Sequence, residues 1–170
     1  VSHYLMNAEW DTISRRFGEL GLVNAPSDKV KVYFIPSYLN GDDGVFGMKY
    51  YDLLVGLDAT VFPSYYEPWG YTPLESLAFG GPPLTTSLAG FGKWVEDYYP
   101  KDHPGITVVR RDDDNYDEVV DAVCDRLREI ASLDGKQREI YRASARDVSR
   151  IALWENQIVY YQKAYALALS

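Results

Sequence analysis

One cysteine, two histidines and two methionines are all that this 170-residue chain holds of the residues that most often carry disulfide, metal and soft-ligand chemistry. A lone Cys124 excludes a disulfide framework within the chain, and a reducing cytoplasm is the expected compartment. Cys124 falls within a helical pattern, where it reads as a small core residue. His3 and His103 stand isolated, and no serine, cysteine and histidine set suggests a hydrolytic triad. Basic residues are also scarce: 17 Lys and Arg against 25 Asp and Glu, a net charge of −8. A pI near 4.7 argues against nucleic acid as a partner, because phosphate neutralisation needs a basic face. No apolar run reaches the ~18 residues of a membrane span, and no basic segment leads into an apolar one at the start, so no membrane partner is expected. Neither a G-x-G-x-x-G after a strand nor a P-loop occurs, and there is no repeat or low-complexity linker. The first residue is Val1 rather than Met, from which an excised piece of a longer protein is expected.

What is present is ordinary globular composition, 46% hydrophobic and 25% charged, enough for one domain with a sizeable core. Apolar spacing at Leu5, Trp10, Ile13, Phe17 and Leu20 predicts a helix over residues 4–21. "KVKVYFI" (29–35), bounded by Pro36, predicts a strand, and "MKYYDLLVGL" (48–57) a short helix. The apolar run "ATVFPS" (59–64) predicts a parallel strand buried on both faces. A helix "PLESLAFG" ends at Gly80 and Gly81, followed by a strand over 82–86, a loop "SLAGFG", a helical turn "KWVEDYY" and a strand over 106–110. From residue 116 the pattern is wholly helical. Alternating strands and helices predict an α/β fold with a doubly wound parallel sheet. The division expected is a partial doubly wound domain over 1–135 and C-terminal helices over 136–170.

The loop "PSYYEPWGYTPLES" (63–76) crowds prolines, a glycine, bulky aromatics and two glutamates into one connection between strand and helix. In open parallel sheets, ligands sit beyond the carboxyl ends of the strands, where this loop falls. Thr72-Pro73-Leu74-Glu75 reads as a helix start, with Thr72 as N-cap, Pro73 first and Glu75 third. The unpaired amides of such a start, with the helix dipole, suit a phosphate. Gly70 permits close approach to the backbone. The alternative is a capping box, in which Glu75 folds back on the Thr72 amide.

"FPSYYEPWGYTPLESLAFGGPPLTTSLAGFG" resembles the signature stretch of glycogen synthases, retaining glucosyltransferases of the GT-B fold, and the animal and fungal type most of all. It carries the family's E-x7-E motif at Glu67 and Glu75. The resemblance extends more weakly from "VKVYFIPSYLN" through "KQREIYR" to "LW". It implies the Rossmann-like, donor-binding C-terminal half of such an enzyme. Glu67 would lie near the transferred glucose as the catalytic candidate, and Glu75 would hold the ribose hydroxyls. The amides of Gly70, Tyr71 and Thr72 would cradle the diphosphate, and Tyr50 would stack on the base. The alternative for Tyr50 is a half-buried helix residue. Gly90, Phe91 and Gly92 of "AGFG" would border the same cleft, or else form a turn with Phe91 as packing anchor.

No metal and no cofactor other than the nucleotide sugar itself is implied. Asp42-Asp43 lacks the calcium-loop spacing, and Asp112 to Asp114 reads as the prelude to a helix capped by Asn115, with Glu118 three residues on. The family's diphosphate-gripping basic pair and its acceptor domain precede the matched stretch. Lys93, Arg110 and Arg111 match no such motif and read as surface or helix-end charges. Arg138, Arg142, Arg146 and Arg150 recur every fourth residue where eukaryotic members read a sugar phosphate, although Glu139 and Asp147 interrupt them and a solvated stripe is the expectation.

The implied function is transfer of glucose from UDP-glucose, or ADP-glucose, to an α-1,4-glucan bound by an N-terminal domain. A transferase with another acceptor, or a non-catalytic nucleotide-sugar or glucan-binding module, is the alternative. Taken alone, the stretch is expected to be inactive. Trp154, Ile158, Tyr161 and Tyr165 form an apolar stripe on the last helix, either exposed, with self-association, or closing the core.

Overall fold

The computed structural model describes residues 5–7, 9–99 and 103–170. The chain divides into two compact units, residues 1–53 and 54–170.

In the first unit α1 spans Thr12–Glu19, where the side chain of Asp11 accepts from the Ser14 amide at 2.6 Å as N-cap. It is shorter than its apolar spacing predicts, and it buries none of its residues. Trp10 and Leu20 are exposed, so the stripe has no core to close upon. The expected strand over residues 29–35 is not formed. Its backbone is engaged otherwise: the Asn24 side chain accepts from the Val32 amide at 2.8 Å and donates to the Val32 carbonyl at 2.7 Å. An extended segment without a neighbouring strand has no ladder, and here a side chain takes the ladder's place. A second helix, α2, covers Tyr50–Leu54.

The second unit holds three parallel strands in the order β1 (Thr60–Val61), β2 (Pro83–Thr86) and β3 (Thr107–Val109). Between them run α3 (Tyr71–Ala78) and α4 (Gly90–Val95), the crossovers that parallel pairing demands. Then follow α5 (Tyr116–Ser132), α6 (Gly135–Arg150) and α7 (Trp154–Ala168). All four β2 residues are buried, as a central strand covered on both faces requires. The core joins Leu77 of α3, Phe91 and Val95 of α4, Ile106, and Ala145 and Val148 of α6. Among these apolar groups, Thr60 Oγ1 lies 2.6 Å from Ser76 Oγ, which donates to the Gly81 carbonyl at 2.7 Å, so these two buried hydroxyls satisfy one another.

The helix starts differ from those the sequence predicts. Gly70 is the residue preceding α3, at φ +107°, with no side-chain cap. Thr72 and Pro73 therefore lie inside the first turn. Proline is accommodated there because its missing N–H is one of those without an intrahelical acceptor. Asn115 does not cap α5 with its side chain. It closes the preceding turn instead, accepting from the Asp112 amide and donating to the Arg110 carbonyl, both at 2.9 Å.

The arginines of α6 are not all solvated. Arg142 donates to the Leu57 and Val55 carbonyls at 3.1 and 2.8 Å, and Arg138 to the Leu133 carbonyl at 3.1 Å. Arg146 and Arg150 are exposed. In α7 no residue is buried, and Trp154, Tyr161 and Tyr165 meet one another in tilted and edge-on ring contacts along its exposed side rather than closing the core.

Candidate functional site

Three loops meet at the carboxyl ends of the strands: residues 62–70 after β1, 87–89 after β2 and 110–115 after β3. The first is strapped to the second by backbone hydrogen bonds. The Glu67 amide donates to the Leu88 carbonyl at 3.4 Å, and the Gly90 amide donates to the Glu67 carbonyl at 3.0 Å. One step further, the Phe91 amide donates to the Trp69 carbonyl at 2.6 Å. Thr86 Oγ1 donates to the Ser64 carbonyl at 2.7 Å, so the last residue of β2 holds the start of the loop as well.

The aromatics of the loop divide by role. Trp69 turns inward, its ring 5.6 Å from that of Phe91 and 5.4 Å from that of Trp94, and anchors the loop to the core. Tyr65, Tyr66 and Tyr71 are all exposed, but one face of the Tyr65 ring is covered by the Arg111 guanidinium, with Cζ 3.4 Å from the ring centre.

Glu67 is half-buried, and Ser64 Oγ donates to its Oε2 at 3.3 Å. Its carboxylate lies against Gly70: a Cβ added there would stand 3.6 Å from Glu67 Cδ and Oε2 and 3.6 Å from Phe91 Cβ. The first glutamate of the motif is thus held beside the residue that opens α3. Tyr71 and Thr72 supply the next amides, in the first turn, where intrahelical acceptors are lacking and the helix end is partly positive. Glu75 lies one turn further along the same helix, half-buried.

Gly90 is the closest backbone approach in the site. A Cβ on it would fall 2.2 Å from the Pro68 carbonyl oxygen, so only glycine lets the two loops touch. Gly92 is buried in α4 against the Thr86 carbonyl, and Phe91 is fully buried in the core. The "AGFG" segment therefore acts here as a packed support for the Glu67 loop, with the Phe91 side chain as its anchor. Tyr50 opens α2 in the other unit, its ring 5.3 Å from that of Tyr51.

Arg111 departs from its expected place at the surface. It is only 6% exposed and donates through Nη1 to the Pro63 carbonyl at 2.9 Å. Arg110 and Lys93 are exposed, as their sequence reading has it. The Arg-Arg pair just past a strand's carboxyl end was the one available signal for Arg111, and it does not tell which arginine turns inward. Arg111 and Tyr65 also line an apolar groove of about 400 Å³ with Val61, Val119, Val123 and Cys124. Cys124 thus sits partly exposed on a groove wall rather than wholly inside the core. A polar concavity of about 500 Å³ lies past β3, between Arg110, Asp112, Asp114 and Glu118. Glu67 and Glu75 line neither.

By fold and loop placement this is a parallel α/β protein of the kind whose ligands bind beyond the carboxyl ends of the strands. The family model of glycogen synthase matches residues 1–170. The chain is 36% identical over 173 aligned residues to glycogen [starch] synthase isoform 2 of Saccharomyces cerevisiae, covering 99% of this chain and 24% of that protein. Identity to the glycogen [starch] synthase of Caenorhabditis elegans is 35% over 170 residues, covering 99% of this chain and 25% of the relative. For the liver glycogen [starch] synthase of Mus musculus it is 34% over 171 residues, covering 100% and 24%. The chain belongs to the glycogen synthase family and spans about a quarter of the length of these relatives.

Proposed function

We propose that this chain forms the donor-binding part of a retaining glucosyltransferase of glycogen-synthase type, the Rossmann-like half of a GT-B architecture. The whole protein would move glucose from a nucleotide-glucose, UDP-glucose in the first place, to the non-reducing end of an α-1,4-glucan. The observation that carries this reading is the Glu67 carboxylate seated against Gly70 at the opening of α3, beyond the ends of parallel strands.

The chemistry follows from that seat. As the bond between glucose and diphosphate breaks, negative charge gathers on the leaving phosphate. The amides of Gly70, Tyr71 and Thr72 would meet that charge with fixed dipoles that need little reorganisation. Glu67 would face the sugar and stabilise the positive charge that develops at its anomeric carbon. Glu75 would accept hydrogen bonds from the ribose hydroxyls. A transfer assay on the whole protein with labelled UDP-glucose and ADP-glucose, with and without a glycogen primer, tests this. Primer-dependent incorporation from UDP-glucose is the expected result, and absence of transfer from either donor would overturn it.

A further inference from the structure

Arg111 is a guanidinium buried to 6% exposure, and among the described residues no carboxylate pairs with it. Its Nε is buried without a hydrogen-bond partner. Burying an unpaired charge is costly, so core stability alone is a poor reason for an arginine here.

What the side chain does touch is specific. Nη1 donates to the Pro63 carbonyl at 2.9 Å, and the guanidinium plane covers the Tyr65 ring at 3.4 Å. These contacts flank Ser64, whose carbonyl is held by Thr86 and whose hydroxyl donates to Glu67 Oε2. The backbone of Arg111 is itself fixed, its amide donating to Ser87 Oγ at 3.0 Å, while the Ser87 amide donates to the Val109 carbonyl at 3.0 Å. The ends of β2 and β3 are thereby joined to the loop after β1 through one side chain.

We infer that Arg111 is a positioning residue: it clamps Pro63 and Tyr65 so that Ser64 presents its hydroxyl to Glu67 and the carboxylate keeps its place beside Gly70. This rests on the transferase reading for its consequence in turnover, though not for its consequence in loop order. Lysine cannot replace it, because one ammonium cannot both cover a ring with a flat face and donate in the plane of that face.

The test uses the whole protein with Arg111→Lys and Arg111→Met, and Tyr65→Leu to remove the stack from the other side should the arginine variants fold poorly. Two quantities are read: steady-state transfer from the nucleotide-glucose, and hydrogen exchange of the amides in residues 64–70 against those of α3 and β2. Displacement of a reacting group by about 1 Å costs on the order of 100-fold, so kcat should fall by roughly 10- to 100-fold. The donor KM should stay within about threefold, since the amides of α3 are untouched. Exchange in 64–70 should quicken by about tenfold or more while α3 and β2 keep wild-type protection. Unchanged kcat with unchanged exchange in 64–70 would overturn the inference. So would exchange that rises equally through α3 and β2, since Arg111 would then merely hold the fold. A wild-type protein without transfer activity would sink the transferase reading alone, and the exchange pattern would still decide for or against the clamp.

Discussion

The amide of Gly90 donates to the carbonyl of Glu67 at 3.0 Å, across 23 positions of sequence. This bond lies between the loops that follow two neighbouring parallel strands. It fixes the backbone of the first motif glutamate from a direction that the local sequence does not supply. Its partner in space is the contact of Gly90 with Pro68, which leaves no volume for a side chain.

Gly90→Ala should therefore displace the loop. The added methyl would meet backbone, the Pro68 carbonyl, which cannot rotate aside. Overpacking of this kind costs about 1–3 kcal/mol, to be read as a lower urea midpoint, with kcat falling further than stability does. Gly18→Ala in α1 is the contrast, since nothing lies within 4 Å of a Cβ there, and it should be neutral or stabilising by about 0.5–1 kcal/mol.

Glu67→Gln in the whole protein should lower kcat by orders of magnitude and leave donor affinity nearly intact, because the role proposed for its charge lies at the transition state rather than in binding. Near-normal turnover would remove Glu67 from the reaction.

Glu75→Ala should act on the other parameter. Loss of the proposed hydrogen bonds from ribose to its carboxylate, worth about 1.5–3 kcal/mol, predicts a roughly 10- to 100-fold rise in donor KM. Titration calorimetry with the free nucleoside diphosphate checks it; equal binding by the variant would leave Glu75 a structural residue of α3.

Ser76→Ala should destabilise the second unit. Ser76 Oγ pairs with Thr60 Oγ1 and donates to the Gly81 carbonyl, and truncation leaves both without that partner in a buried place. A loss of about 1–3 kcal/mol in unfolding free energy is expected. A Thr60→Val, Ser76→Ala double variant should lose less than the sum of the singles.

Stability should fall as the pH drops through the imidazole range. Burial, and next the Arg126 charge, hold His103 below its ordinary value of 6.5, against a smaller opposing effect of Asp147. The Nδ1 of His103 accepts from the Gly105 amide at 3.1 Å, a bond that protonation of that nitrogen would end. The unfolded chain thus binds the proton first. The contribution is whole above the ordinary value and is lost as the pH falls from there through the lowered one. Urea midpoints at about pH 7.5 and 5.5 should differ less in His103→Gln than in the wild type. An unchanged difference would exclude His103 as the titrating group.

The sequence by itself determined what depends on neighbours along the chain. The apolar runs that became β1, β2 and β3 were legible because a strand buried on both faces needs little but apolar residues between turn signals. The helices α5, α6 and α7 were legible from their periodicity, and the motif loop from its clustered glycine, prolines and glutamates. Tertiary structure decided the rest. Residues 29–35 carry strand-forming side chains, yet a strand exists only where another backbone lies beside it, and the Asn24 side chain takes up Val32 instead. Thr72 has the chemistry of a cap, but the packing of Trp69 and the left-handed turn at Gly70 start the helix earlier. Arg111 reads as one more surface charge until β3 is laid beside β2. Its contact with Pro63 spans 48 positions, and no local pattern encodes a bond whose partner arrives only when the sheet closes.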